Sequence, residues 1–207
     1  MPIVNNREYR SMTFEVRSAD TEDDQSRIAE GYATRFNTPY QLYAWDGYEV
    51  NEQIDAHAFD DCDMTDTIMQ YDHQGRVFAR VSNKTLQLEV DQIGLKVTAD
   101  LGGTEEGRKL YEEIKGGYTT KMSFGFVVKT DERKSEYDHE YNKTVVLRTI
   151  TAISKLYDVS AVSIPANDAT EISARSFSDG VIREAKAERL KRAIKRNKLM
   201  AKMRGMK

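Results

Sequence analysis

The sequence holds one cysteine, Cys62, in 207 residues. A single thiol excludes an internal disulfide framework and any zinc site built on several cysteines. The three histidines, His57, His73 and His139, lack the close spacing of a metal-binding cluster. No apolar run approaches the roughly 18 residues that a membrane span requires. The first eight residues contain no apolar signal core, so secretion and membrane insertion are not expected. A glycine-rich phosphate loop and a dinucleotide fingerprint are both missing. Acid–base chemistry, nucleophilic chemistry and plain binding remain.

Charge is abundant: 31% of the residues are Asp, Glu, Lys or Arg, and the formal net charge is only −3. That small net value hides a division. Residues 183–207 carry eleven Lys or Arg against Glu184 and Glu188, a local charge of +9. The preceding residues hold 20 bases and 32 acids, a charge of −12. The small, polar stretch 173–180 reads as a linker between the two parts. The tail is rich in good helix formers and has no proline. Ile182, Leu190, Ala193 and Ile194 give its helix only a thin apolar stripe. It reads as a solvated extension, an arm for nucleic acid, or a docking element for an acidic partner.

The acidic body reads as mainly β with flanking helix, an α+β chain. Leu86, Leu88 and Val90 alternate with polar residues, Asp91-Gln92-Ile93-Gly94 signals a turn, and Leu95–Leu101 alternates again. That pattern predicts a β-hairpin. Thr104 followed by Glu105 and Glu106, with Gly116-Gly117 at the far end, predicts a capped helix between them. Strands are further predicted at Ile28–Phe36, Met122–Val128, Leu147–Ile153 and Tyr157–Ile164, the last closed by Pro165-Ala166-Asn167-Asp168. Many short strands around one helix suggest a closed or nearly closed barrel.

By residue pattern alone, His139 belongs to an exposed polar loop and His57 to a helix start with a structural role. His73 stands at the end of an element, beside a turn, and can face a cleft. Ser123 lies mid-strand, opposite the face of Met122, Phe124 and Phe126, with Gly125 allowing close approach. Without a partner in view, Ser123 reads as a small residue facing the barrel interior.

Several motifs bear on that reading. In chain order they are Ile28–Asn37, Glu52-Gln53-Ile54 with Ala58-Phe59, Tyr71-Asp72-His73, Asn83–Leu88 with Gly94-Leu95, Thr104–Arg108, Lys121–Phe126 and Asp158–Asn167. Over about residues 12–176 the chain resembles the tailed-phage prohead proteases, the capsid-maturation serine proteases of assemblin-like, herpesvirus-protease-like fold. The resemblance implies a β-barrel protease domain over 1–176, then a linker and basic helical tail over 177–207. It places the nucleophile on Ser123, the base on His73 and the third, acidic member on Asp158, where many relatives carry Glu. It offers Arg148 as a candidate oxyanion donor. No cofactor or metal is implied. The substrates implied are the scaffold or the scaffolding segment of the major capsid protein, with the protease itself as a further one. Work would take place inside the immature procapsid, in the host cytoplasm. Nucleic acid is not the expected partner of a −12 body, and a homo-oligomer stays open. The alternative is a catalytically inactive protease-like scaffold that docks through its basic tail.

Overall fold

A computed structural model of the chain describes residues 7–12, 17–18, 27–45 and 47–162. In the tail it describes 182–183, 186–187, 190–191, 193–196, 198 and 200. The expected linker at 173–180 and the closing Pro165–Asp168 lie outside the described residues.

The elements follow in the order β1 (Glu8–Met12), β2 (Arg17–Ser18), β3 (Ile28–Arg35), β4 (Tyr40–Trp45), β5 (Tyr48–Ile54), β6 (Ile68–Tyr71), β7 (Gln74–Arg80), β8 (Leu86–Val90), β9 (Gly94–Asp100), α1 (Glu105–Lys115), β10 (Lys121–Asp138) and β11 (Lys143–Val162). Among the described residues these strands form two sheets rather than the closed barrel expected. One has the order β1-β10-β11-β5-β4, with β6 on β11 and β7 on β6; the other has the order β2-β3-β9-β8. The two meet at a corner, where Phe36 bridges Ile54 and the Asn37 amide donates to the Ile54 carbonyl at 2.8 Å.

The predicted hairpin is β8–β9, and the predicted helix is α1. Thr104 caps α1 by accepting from the Gly107 amide at 2.9 Å, and the Gly116 amide closes the other end on the Glu112 carbonyl. Leu110, Tyr111 and Ile114 form its buried face. Gly94 begins β9 because β3 passes close by. A Cβ there would stand 1.9 Å from the Thr34 carbonyl oxygen.

Two predicted strands, Leu147–Ile153 and Tyr157–Ile164, fall on one as far as Val162, where the described residues of the body end. β11 runs unbroken for 20 residues. Its partner on one side is β10 throughout, antiparallel. On the other side it pairs in parallel first with β5, over Thr144–Ile150, and then with β6, over Asp158–Ala161. The segment between β5 and β6 supplies hydrogen bonds in the gap. The Ile153 amide donates to the Ala58 carbonyl at 2.8 Å, and the Leu156 amide to the Asp63 carbonyl at 3.0 Å. Backbone pairing therefore continues where no strand lies alongside, as buried amides require. His57 belongs to this turn-rich segment and not to a helix start. It is exposed, and its Nδ1 lies 3.1 Å from Asp60 Oδ2.

The core between the sheets holds Ile54, Met69, Leu86, Leu95, Met122, Phe124, Phe126, Ile150, Ile153 and Leu156. Burying each such side chain contributes about 2 kcal/mol. The rings of Phe124 and Phe126 stack with centroids 4.6 Å apart. A small second cluster lies on the β4–β5–β11 face. There Val50 and Val146 pack with Leu42, Tyr43 and Ile182. The described tail residues are helical, and Lys186 Nζ lies 5.1 Å from the Tyr48 ring centroid. Farther along, Leu190 and Ile194 are exposed.

Candidate active site

β6 and β7 are joined by two residues, Asp72 and His73, with Tyr71 paired to Gln74. Both take positive φ, 49° and 56°. A two-residue hairpin turn asks for this left-handed backbone at both positions. Asp tolerates it; for His it costs on the order of 1 kcal/mol. The Asp72 amide anchors the turn by donating to the Ala161 carbonyl at 3.0 Å. The imidazole thus stands over β11 and reaches β10.

In the antiparallel register Ser123 of β10 faces Ser160 of β11, and Gly125 faces Asp158. Strand side chains two apart share a face, so Ser123, Asp158 and Ser160 share theirs. His73 spans them. Its Nε2 lies 2.5 Å from Ser123 Oγ, and its Nδ1 lies 2.5 Å from Asp158 Oδ1. A neutral imidazole with its proton on Nδ1 donates to Asp158 and accepts from Ser123. The structure therefore brings together Ser123, His73 and Asp158, whose positions in the chain are 50 and 85 residues apart from His73.

Two neighbours, Tyr9 and the Arg10 carbonyl, were not read from sequence, whereas close approach at Gly125 was. Tyr9 of β1 packs edge-on against His73, with centroids 4.6 Å apart. Gly125 makes room for both: a Cβ there would fall within 3.0 Å of the Asp158 carboxylate and the Tyr9 ring. The Arg10 carbonyl of β1 lies 2.8 Å from Ser123 Oγ and accepts from it. Ser123 has one hydroxyl proton and two acceptors, His73 Nε2 and the Arg10 carbonyl. Its relative exposure is 0%.

Arg148, the candidate oxyanion donor, is engaged elsewhere among the described contacts. Its guanidinium is committed to a buried ionic cluster, with bonds to Asp131 at 2.6 Å, Glu52 at 2.7 Å and Glu8 at 2.8 Å. Arg10 enters the same cluster, bonding Glu52 at 2.6 and 3.0 Å and also Glu8. The Tyr40 hydroxyl donates to Glu52 at 2.5 Å. Burial by itself would pull both arginines down; the carboxylates override it and hold them above their ordinary range. Burial would likewise raise Glu8, but the Arg148 hydrogen bond and the two guanidinium charges bring its carboxyl below the usual value. Burial, then the Glu52 charge, push the Tyr40 phenol well up. A sequence signal existed. Glu52 falls in the buried alternation Val50-Glu52-Ile54, and Arg148 in Val146-Arg148-Ile150. A charge at such a position needs a buried partner.

Cys62 is no rival nucleophile, because burial pushes its thiol up to about 11. Among the described residues, no group of three or more His, Cys, Asp or Glu is placed to hold a metal ion. No described helix is long and apolar enough to cross a membrane.

A serine, an imidazole and a carboxylate joined in one hydrogen-bonded line, on a mainly β scaffold, form the constellation of a serine hydrolase. The matching family agrees with that class. The chain belongs to the caudovirus prohead serine proteases, whose family model matches residues 12–184. Comparison with curated proteins and with solved structures finds no match. Membership implies a part in the proteolysis of phage capsid maturation, with capsid proteins as substrates in the procapsid.

Proposed function

We propose that the chain is a serine endopeptidase that cuts the scaffold, or the scaffolding segment of the major capsid protein, inside the procapsid. Ser123 is the nucleophile, His73 the base and Asp158 the group that orients the base. The observation that carries this reading is the placement of His73, within 2.5 Å of both Ser123 Oγ and Asp158 Oδ1. In the reaction, Nε2 takes the Ser123 proton as Oγ attacks the peptide carbonyl. The imidazolium formed is stabilised by the Asp158 carboxylate, and its proton passes to the leaving amine. Water then releases the acyl group by the same route in reverse. Kinship with assemblin-like proteases belongs to this proposal and rests on the sequence motifs.

In this reading residues 1–176 form the protease domain and 177–207 a linker with the basic tail. The tail serves as a packing extension, and the enzyme cuts it after assembly. Intact mass followed over time should reveal loss of the tail. A chain that keeps residues 183–207 in every active preparation would sink this part.

A second reading, an inactive protease-like scaffold that docks through its tail, draws support from the complete burial of Ser123. A fluorophosphonate probe separates the two. Covalent labelling at Ser123, lost in Ser123→Ala, supports the peptidase. No labelling, together with unimpaired scaffold processing by Ser123→Ala, favours the scaffold.

A further inference from the structure

Asp158 Oδ1 receives two hydrogen bonds. One comes from His73 Nδ1 at 2.5 Å and the other from the Ser160 hydroxyl at 2.9 Å. A carboxylate has no proton to give, so the Ser160 hydroxyl is the donor. Ser160 is fully buried, and Asp158 and His73 are nearly so. Bulk water therefore cannot replace that donor if it is removed.

The geometry around Asp158 explains why a second donor matters. The carboxylate is carried on a short side chain and can rotate about its terminal bond, which has a broad torsional preference. Gly125, opposite Asp158, offers no Cβ to hold it on that side. Ser160 lies two residues along the same strand and directly opposite Ser123 in register. Its hydroxyl donates to Oδ1, the same oxygen that meets Nδ1, and so holds that oxygen toward the imidazole. Ser160 cannot itself be the nucleophile served by this base, because Nε2 is directed at Ser123.

We infer that Ser160 is a positioning residue, a fourth member of the line, which fixes the Asp158 carboxylate so that the imidazole keeps its proton on Nδ1 and its lone pair toward Ser123. This rests on the peptidase reading for its effect on rate, and on the hydrogen bonds alone for its effect on His73. The loss of aim matters because small displacements of catalytic groups lower rates steeply.

The test uses the full-length chain and two readouts. The first is the deshielded proton resonance of His73 Nδ1–H in the wild type, Ser160→Ala and Ser160→Thr. The second is fluorophosphonate inactivation at Ser123, resolved into a binding constant and a maximal rate. Ser160→Ala should shift or broaden the resonance and lower the maximal rate about tenfold, with binding unchanged. Ser160→Thr, which keeps the hydroxyl, should restore both. The inference is overturned if Ser160→Ala leaves the resonance as in the wild type, or if alanine and threonine lower the rate alike. Should the wild type itself escape labelling at Ser123, the peptidase reading fails. The resonance then still decides whether Ser160 holds the His73–Asp158 pair.

Discussion

Glu52 and Arg148 stand opposite each other in the parallel register of β5 and β11, joined at 2.7 Å in a fully buried position. Arg10 completes the pairing from β1, and its own carbonyl accepts from Ser123. The ionic cluster thus seats the strand that lies against the proposed nucleophile.

Removing one member of that cluster should be costly. Glu52→Ala leaves two buried guanidinium groups short of a partner, and should lower stability by about 3–5 kcal/mol. Urea unfolding followed by circular dichroism measures it. A loss under about 1 kcal/mol would show that water or Glu8 compensates.

Acid should loosen the same cluster. Glu8 has a folded value below its unfolded 4.5, so its contribution is complete above that value and fades as pH falls through the folded one. Wild type should therefore lose stability below about pH 4.5 more steeply than Glu8→Gln. Parallel acid-unfolding curves for the two would contradict the assignment.

Ser123→Ala and His73→Ala should each abolish processing of co-expressed scaffold while the chain stays folded. Asp158→Asn should leave activity about a hundredfold above theirs, since orienting a base contributes less than supplying one. Scaffold cleavage on gels, with purified variants checked by circular dichroism, gives the comparison. Normal processing by Ser123→Ala would remove the nucleophile assignment.

Two glycines should fail in different ways. In Gly125→Ala the new methyl group meets Asp158 and Tyr9, so probe labelling should fall about a hundredfold with modest loss of stability. In Gly94→Ala it meets backbone at Thr34, so stability should fall by about 1–3 kcal/mol while labelling per folded molecule holds. Equal labelling by the two variants would contradict this.

The local elements were legible because their signals are local. Thr104 with Gly116 marked α1, and alternation with Gly94 marked β8 and β9. The union of two predicted strands into β11 was not legible. Leu147–Ile153 and Tyr157–Ile164 read as separate because Ser154-Lys155 breaks the apolar pattern. The break reflects a change of neighbour from β5 to β6, with the chain itself continuing. The line Ser123–His73–Asp158 came from motif resemblance. Pattern alone could not supply it, since the distances depend on register. The partners of Arg148 were hidden for the same reason. Its position beside Glu52 is a property of the parallel pairing, and the acid at a buried site was the clue to it.

β11 carries Val146, which meets Ile182 of the tail, and twelve residues later Asp158. Between these points the register of β11 against β10 shifts repeatedly, over Ile150 to Asp158, and bulges of this kind bend a strand and sharpen its twist. The residue that receives Ile182 and the residue that aims the base are thus carried by one strand.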